Sequence, residues 1–520
     1  MKSSFYIKKI ARKLLPVGSK RHHAVRRLLE RVHARQDNVL SYEQWVAQVE
    51  PNTIATAPAE GPLISILVPA YNTPDKYLQP LIDGILAQTY TNWELVLVNG
   101  SPIEERRLAI SAAARRDERI REILLTTNKG IADTTNQGFA HAQGEFIAFM
   151  DHDDTLAPFA LAEVAAALQK DPDIGLFYSD EDKLSDDGQH RLLPLFKPAW
   201  SPELFLNVNY LAHFVVVRAA LAHQVGGIRL GFDGAQDYDF LLRVLDTKPK
   251  VHAVQRMSYH WRQAAGSTGL DVGEKSGASD AGLKALRDYI KRNKISAEAV
   301  EIVGRPTEYR LKYAVQGEPM VYVWPVGQAA EADFEELKRQ TAYSALTLVS
   351  SPTELKAKDG LVLRLDMSAR PKQPDWLNEL IGLAQQSGVG WVGGALVNAG
   401  DQSQGIGYVG DGETWQPLFA GQPLSAWTLM GPAVWPRDLL AVSPDCALIE
   451  LSKLSSVVAA GDVVMSGAAT FQAGLRNVYW PYAKLENEHM LTAQAAPAAV
   501  KDGYFNPNLA VQNGLPILRP

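Results

Sequence analysis

GEFIAFMDHDD, residues 144–154, is the stretch on which the reading of this chain turns. Phe146 to Met150 is an apolar run of strand length, and it ends abruptly in Asp151, His152, Asp153 and Asp154. A buried strand that stops in carboxylates delivers charge to the carboxyl end of a sheet, where ligands bind in open α/β folds. Two acids one residue apart, Asp151 and Asp153, can together offer oxygen ligands to Mg²⁺ or Mn²⁺ held against phosphates. Asp154 is expected to cap the helix that begins near Pro158.

Working outward, LISILVP (63–69), ELVLV (94–98), residues 120–125 and residues 174–178 read as further buried strands. Between them, residues 76–87, 104–116, 131–142 and 158–169 carry helical patterns. Short apolar strands alternating with helices imply a mostly parallel sheet covered on both faces. The carboxyl-end rule then selects Pro69–Asn72, Asn99–Ser101 and Asp151–Asp154 as the ligand-facing loops. Upstream, the Ala- and Pro-containing stretch Thr53–Gly61 reads as a linker.

From Met320 the pattern restarts more faintly. MVYVWP (320–325) parallels ISILVP (64–69), GLVLRLDMS (360–368) parallels the strand ending in DHD, and VVAAGDVV (457–464) parallels GFDGAQDYD (231–239). Their common order suggests a duplicated domain. The stretch from the first strand to the acid is much shorter in the copy, so a strand–helix unit is expected to be missing. The copy also has Asp366 followed by Met367 and Ser368, without the second acid.

The 520 residues are too many for one ordinary domain. A single cysteine, Cys446, rules out an internal disulfide and is expected to be a buried apolar residue. With neither a leader pattern nor an apolar run of membrane-spanning length, a cytoplasmic protein is expected. The net charge of -6 hides a basic segment: residues 1–36 hold eleven Lys or Arg and one acid, Glu30. Apolar residues recur in it at helical spacing on either side of Pro16 and Gly18. Such a segment can lie peripherally on the anionic cytoplasmic face of an inner membrane, pack on the main domain, or stay unfolded. The acidic remainder argues against a nucleic-acid partner.

The segments SILVPAYN (65–72), LAQTY (86–90), WELVLVNGS (93–101), NKGIADTTNQGF (128–139), GEFIAFMDHDD (144–154), YSDEDK (178–183), FKPAWSPELF (196–205), GAQDYDFLLRV (234–244) and YHWRQAAGS (259–267) together resemble glycosyltransferase family 2. The resemblance is strongest to bacterial enzymes of O-antigen and surface-polysaccharide synthesis, rhamnosyltransferases among them. It implies a GT-A-like, Rossmann-type mostly parallel α/β sheet and an inverting, metal-dependent transfer. The donor would be a nucleotide-diphosphate sugar, and the acceptor a saccharide or polyprenyl-linked saccharide.

By the same resemblance, Pro69, Ala70 and Tyr71 match the loop that holds the base. Asn99 stands where members usually have an acid, and Asn128, Gly130 and Asn136 line the nucleotide and sugar. Asp151 and Asp153 match the metal and diphosphate motif, with His260 and Arg262 in a late motif near the diphosphate, His260 as a third metal ligand. Asp237 matches the catalytic base and Asp239 a supporting acid; both also suit the first turn of a helix on dipole grounds alone. Asp180, Glu181 and Asp182 can meet the sugar or acceptor, or form a solvated turn. Trp200 and Trp261 are sugar platforms or core residues, and His213 reads as structural.

The expected organisation is a basic helical segment and linker (1–58), a catalytic GT-A-like domain (59–315) and a degenerate, non-catalytic GT-A-like domain (316–520). PDWLNEL (374–380) and GYFNPNL (503–509) add to the resemblance in the last of these. A sugar-binding scaffold and a nucleotidyltransferase are the competing readings. The acids of the first half oppose the former, and the lack of a Gly-rich, cationic triphosphate loop opposes the latter.

Overall fold

A computed structural model describes residues 39–263, 272–327, 329–352, 355, 359–410, 414–454, 463–495 and 502–519. The basic segment 1–36, the end of the late motif from Ala264 and Asp462 therefore lie outside the described residues. The chain divides into two compact units that interleave in sequence. The first comprises residues 1–196, 211–277 and 517–520, and the second 197–210 and 278–516. The stretches 197–210 and 278–315 fall in the second of these units.

In the first unit the elements in chain order are α1 (Tyr42–Gln48), β1 (Ile64–Ala70), α2 (Asp75–Leu86), β2 (Trp93–Asn99), α3 (Glu104–Ala114), β3 (Ile120–Leu124), α4 (Ile131–His141), β4 (Phe146–Phe149), β5 (Thr155–Leu156), α5 (Ala160–Lys170), β6 (Ile174–Leu184) and β7 (Arg191–Leu195). After α6 (Pro202–Asn207), which belongs to the other unit, come β8 (Val215–Arg218), α7 (Ala219–Gln224), α8 (Gln236–Asp246) and β9 (Lys250–Arg262). One sheet runs β3-β2-β1-β4-β8-β6-β9-β5, with β7 on β6. β3, β2, β1 and β4 are mutually parallel, as are β6 and β9. β8 is inserted antiparallel between β4 and β6.

The burial follows from this layering. β1 and β2 are buried almost throughout because helices cover both faces. Leu78, Leu81, Ile82 and Ile85 of α2 recur at helical spacing and are fully buried, each contributing about 1.5–3 kcal/mol. Polar groups inside the sheet are paired: Glu94 of β2 accepts from Ser65 Oγ of β1 at 2.6 Å and from Arg121 of β3 at 2.5 Å.

The second unit has β10 (Ala297–Glu301) and β11 (Tyr309–Tyr313) as a hairpin after α9 (Val272–Arg292). There follow β12 (Val321–Pro325), α10 (Glu331–Arg339), β13 (Leu346–Leu348), β14 (Leu361–Leu365), β15 (Arg370–Pro371), α11 (Trp376–Ala384) and β16 (Val389–Val397). Next are β17 (Gly407–Gly410), β18 (Thr414–Pro417), β19 (Arg437–Leu439), β20 (Ala441–Val442), β21 (Cys446–Glu450), α12 (Leu451–Leu454), α13 (Val463–Gln472) and β22 (Arg476–Glu486). Its main sheet runs β13-β12-β14-β21-β16-β22-β15.

That order repeats the run β2-β1-β4-β8-β6-β9-β5 of the first sheet. β12–β14 is parallel like β1–β4, β21 lies antiparallel between β14 and β16 as β8 does between β4 and β6, and β22 is parallel to β16 as β9 is to β6. β15 even pairs antiparallel with β22 as β5 does with β9. Among the described residues no strand takes the place of β3. A separate sheet, β20-β17-β18 with residues 494–495, is an addition of this unit.

Candidate active site

The site of the first unit assembles where β1, β2 and β4 end. Asn72, just past β1, adopts a positive φ of 51°, and its backbone N donates to Ser101 Oγ, just past β2, at 2.8 Å. Asn128 Oδ1 accepts from Gly130 N at 2.7 Å, and its Nδ2 lies against Gly100. A Cβ at Gly100 would stand 2.5 Å from that nitrogen, so a larger residue there would displace the Asn128 amide. Gly130 itself sits at φ 100°, ahead of α4. Around this frame Tyr71 is 49% exposed, Pro69 is half-buried and Ala70 is buried.

Two of the expected nucleotide residues are committed to the fold. Asn99 is fully buried; its Nδ2 donates to Glu122 Oε1 at 2.7 Å and Arg107 O at 3.0 Å, tying β2 to β3 and α3. Asn136 exchanges both bonds with the backbone of Ile228, at 2.7 and 2.9 Å. A side chain whose polar atoms are all used in this way has little left to offer a ligand.

At the end of β4 the acids diverge. Asp151 remains 42% exposed, with His213 Nε2 at 3.7 Å from its carboxylate. Desolvation by the surrounding protein, followed by repulsion from Asp153 and Asp237, pushes its carboxyl up to about 7. His152, between the two acids, meets Thr73 Oγ1 at 3.1 Å, and burial lowers its affinity for a proton. Asp154 does not cap α5. It is fully buried and accepts from Tyr259 Oη at 2.5 Å and from the backbone N of Arg262 at 2.7 Å. Helix α5 begins at Ala160 after Phe159, which makes no side-chain cap bond.

Helix α8 opens with Asp237 and Asp239 in its first turn, and the two separate completely. Asp239 is buried and ion-paired with Arg243 at 3.0 Å and with Arg229. Asp237 is close enough to Asp151 for its charge to be felt there. Asp151, Asp153 and Asp237 therefore form one electronegative group.

The late motif behaves otherwise than expected. Arg262 is 2% exposed and donates through Nε to Asp153 O at 2.7 Å and through Nη1 to the carbonyls of Ser185 and Asp186. It braces the backbone under the acids rather than standing open to a diphosphate. His260 pairs across the strands with Thr155 and with Asp182, and its Nδ1 lies 2.8 Å from Asp182 Oδ1. Among the described residues no three carboxylate, imidazole or thiol side chains stand together as a ready cation site. Asp151, Asp153 and His260 are thus not a closed ligand set. Two carboxylates with repelling charges suit instead a cation that arrives with phosphate oxygens, the usual habit of Mg²⁺.

The acids 180–182 are not a solvated turn. β6 runs on through Leu184, and all three are buried. Glu181 accepts from the backbone N of His213 at 2.6 Å, and Asp182 from Tyr42 Oη, Arg191 Nε and His260. Burial opposes the charged form of Asp182, but the fields of His260 and Arg191 and these bonds hold its carboxyl below the usual range. Trp261 lies under Lys183 Nζ, 3.3 Å from the ring centroid, with the His213 ring edge-on at 5.6 Å. Trp200, in the second unit, packs on Phe205.

With this geometry in place, residues 65–226 match the profile of the family described as Glycosyl transferase family 2. The chain carries a family 2 glycosyltransferase domain. The O-antigen biosynthesis protein RfbC of Myxococcus xanthus is 30% identical over 476 residues, a match covering 81% of this chain and 37% of that protein. An uncharacterized protein of Sinorhizobium fredii, y4gI, is 31% identical over 395 residues, covering 67% of this chain and 43% of its own. This chain thus spans less than half the length of either relative. A structure of Staphylococcus aureus TarS with UDP-GlcNAc aligns over 44% of this chain and 66% of its own, at 19% identity and a TM-score of 0.37.

The second unit's counterpart of the family 2 acids is self-contained. Asp366, just past β14, accepts from Ser368 N and Oγ at 2.8 Å and from Asn487 Nδ2 at 3.1 Å. Burial works against its charge, but these bonds hold its carboxyl below the usual range. Asp445, at the start of β21, is 2.6 Å from His489 Nδ1. Among the described residues no helix of the chain is long and apolar enough to cross a membrane.

Proposed function

We propose that the first unit is an inverting, metal-dependent glycosyltransferase. It would move a sugar from a nucleotide-diphosphate donor to a saccharide or polyprenyl-linked saccharide acceptor in bacterial surface-polysaccharide synthesis. The observation that carries this reading is the gathering of Asp151, Asp153 and Asp237, while their neighbours Asp154 and Asp239 are buried in bonds to the protein. Acids whose charges meet at the carboxyl ends of a parallel sheet are suited to chemistry.

In this reading the loops at Pro69–Asn72, Gly100–Ser101 and Asn128–Gly130 hold the nucleotide. Asp151 and Asp153 hold Mg²⁺ or Mn²⁺ against the donor diphosphate. The cation, when bound, neutralises the departing diphosphate and adds several kcal/mol of stabilisation. Asp237 accepts the proton of the acceptor hydroxyl as that oxygen attacks the anomeric carbon opposite the leaving group, inverting the centre. Such base help is worth roughly 10²–10⁴-fold. Arg262, Tyr259 and Asp154 keep the acid-bearing turn rigid.

The second unit is read as a non-catalytic scaffold or acceptor platform, since Asp366 is already satisfied by Ser368 and Asn487. The cations of residues 1–36 support a place at the cytoplasmic face of an anionic membrane, where a lipid-linked acceptor would be found. Screening nucleotide sugars for metal-dependent donor hydrolysis tests the activity. Hydrolysis of at least one donor is expected, and none across all common bases and sugars would exclude it.

A further inference from the structure

Residues ahead of the family 2 domain are wired into its late motif. α1 is anchored by a Ser41–Gln44 capping box and by Trp45, which is 1% exposed and meets Phe196 edge-on at 5.3 Å. From this anchored segment two side chains reach the β6–β7 hairpin. Tyr42 Oη donates to Asp182 Oδ2 at 2.5 Å, and Glu50 takes a bidentate pair from Arg191 at 2.6 and 2.7 Å. Arg191 in turn donates through Nε to Asp182 Oδ2 at 2.6 Å and through Nη2 to Tyr42 Oη at 2.9 Å. Asp182, with no exposed side-chain surface, spends its other oxygen on His260 Nδ1 at 2.8 Å.

Two consequences follow from elementary chemistry. A carboxylate is an acceptor only, so the bond at His260 requires the proton on Nδ1, and in the neutral imidazole Nε2 is then the lone-pair nitrogen. Asp182 and Glu50 set against Arg191 leave one negative charge in the group, next to that imidazole. A histidine so oriented and so polarised is a better cation or hydrogen-bond partner through Nε2. His260 stands opposite Thr155, two residues beyond Asp153.

We infer that Tyr42 and Glu50, outside the matched family region, are positioning residues of the transferase site, fixing His260 as its Nδ1–H tautomer through Arg191 and Asp182. The inference rests on the proposed reading only in taking His260 to face the metal-bearing donor.

Imidazole ¹⁵N spectra of the full chain test it, with His260→Gln assigning the signal, alongside titration with Mn²⁺ alone. The wild type is expected to show the Nδ1–H tautomer. Asp182→Asn should give mixed tautomers and weaken Mn²⁺ binding roughly 10–100-fold. Tyr42→Phe combined with Glu50→Gln should shift both readouts in the same direction by less; if that pair unfolds, Tyr42→Phe alone carries the comparison. An Nε2–H tautomer in the wild type, or wild-type tautomer ratio and Mn²⁺ affinity in the Tyr42/Glu50 variants, overturns the inference. If the wild type binds no Mn²⁺ in the absence of a diphosphate, the tautomer comparison by itself decides the positioning role.

Discussion

Asp237 and Asp239 stand two residues apart in the first turn of one helix, yet Asp239 is locked between Arg229 and Arg243 while Asp237 shares its field with Asp151. Spacing made the two acids equal candidates for the base. The protein separates them by giving one a structural ion pair and leaving the other with the acids of β4.

Asp237→Asn is therefore expected to lower kcat by roughly 10²–10⁴-fold while nucleotide and Mn²⁺ affinities stay near wild type. Asp239→Asn strips a buried pair of its charge and should cost about 3 kcal/mol of stability. Denaturant unfolding and donor titration of both variants check this. An inactive but stable Asp239→Asn beside an active Asp237→Asn would reverse the assignment.

The Asp151 carboxyl, pushed up to about 7, takes up a proton in the neutral range. A protonated carboxyl does not hold a cation, so Mn²⁺ affinity should rise with pH through about 7 and level off above it. Calorimetric titrations at intervals between pH 5.5 and 8.5 measure this. Asp153→Asn, which relieves one source of repulsion, should move the Asp151 midpoint downward. A flat profile would mean that Asp151 is not the group that binds.

Asp366→Asn should leave sugar transfer unchanged, since that carboxylate is held by Ser368 and Asn487. Stability should fall by about 1–3 kcal/mol as hydrogen bonds to a charged group are weakened. Loss of transfer with unchanged stability would show that the second unit is still catalytic.

Deleting residues 1–36 should preserve transfer to a soluble acceptor analogue and weaken binding to anionic vesicles in a salt-sensitive way. Vesicle flotation at low and high salt is the measurement. Equal flotation with and without the segment would remove the membrane from the account.

Much of the first unit was legible because its strands are apolar runs of the right length, broken by helices. β1, β2, β3 and β4 lie where their patterns placed them, and the acids past β4 followed from topology alone. The duplication was legible in the order of faint matches, and the repeated strand order makes it concrete. What stayed hidden were choices of partner across long sequence separations. Nothing near Asp154 announces Tyr259, 105 residues away, and nothing near Asp182 announces Tyr42, 140 residues away. Arg262 read as a diphosphate ligand because an exposed and a buried arginine look alike in sequence. At YSDEDK the turn-favouring Ser179, Asp180 and Asp182 suggested a break, yet the strand runs on from Ile174 to Leu184. His213, two residues before β8, gained its place beside Asp151 only once that strand was seen to lie antiparallel to β4.

The central claim is a sugar transfer that depends on a cation held by Asp151 and Asp153. The measurement that reaches it most directly compares wild type and Asp153→Asn for transfer from an accepted nucleotide sugar, with Mn²⁺ or with chelator. Turnover is expected only for wild type with Mn²⁺, and Asp153→Asn should be folded, equally stable and inactive. Undiminished turnover in chelator, or by Asp153→Asn, would contradict it.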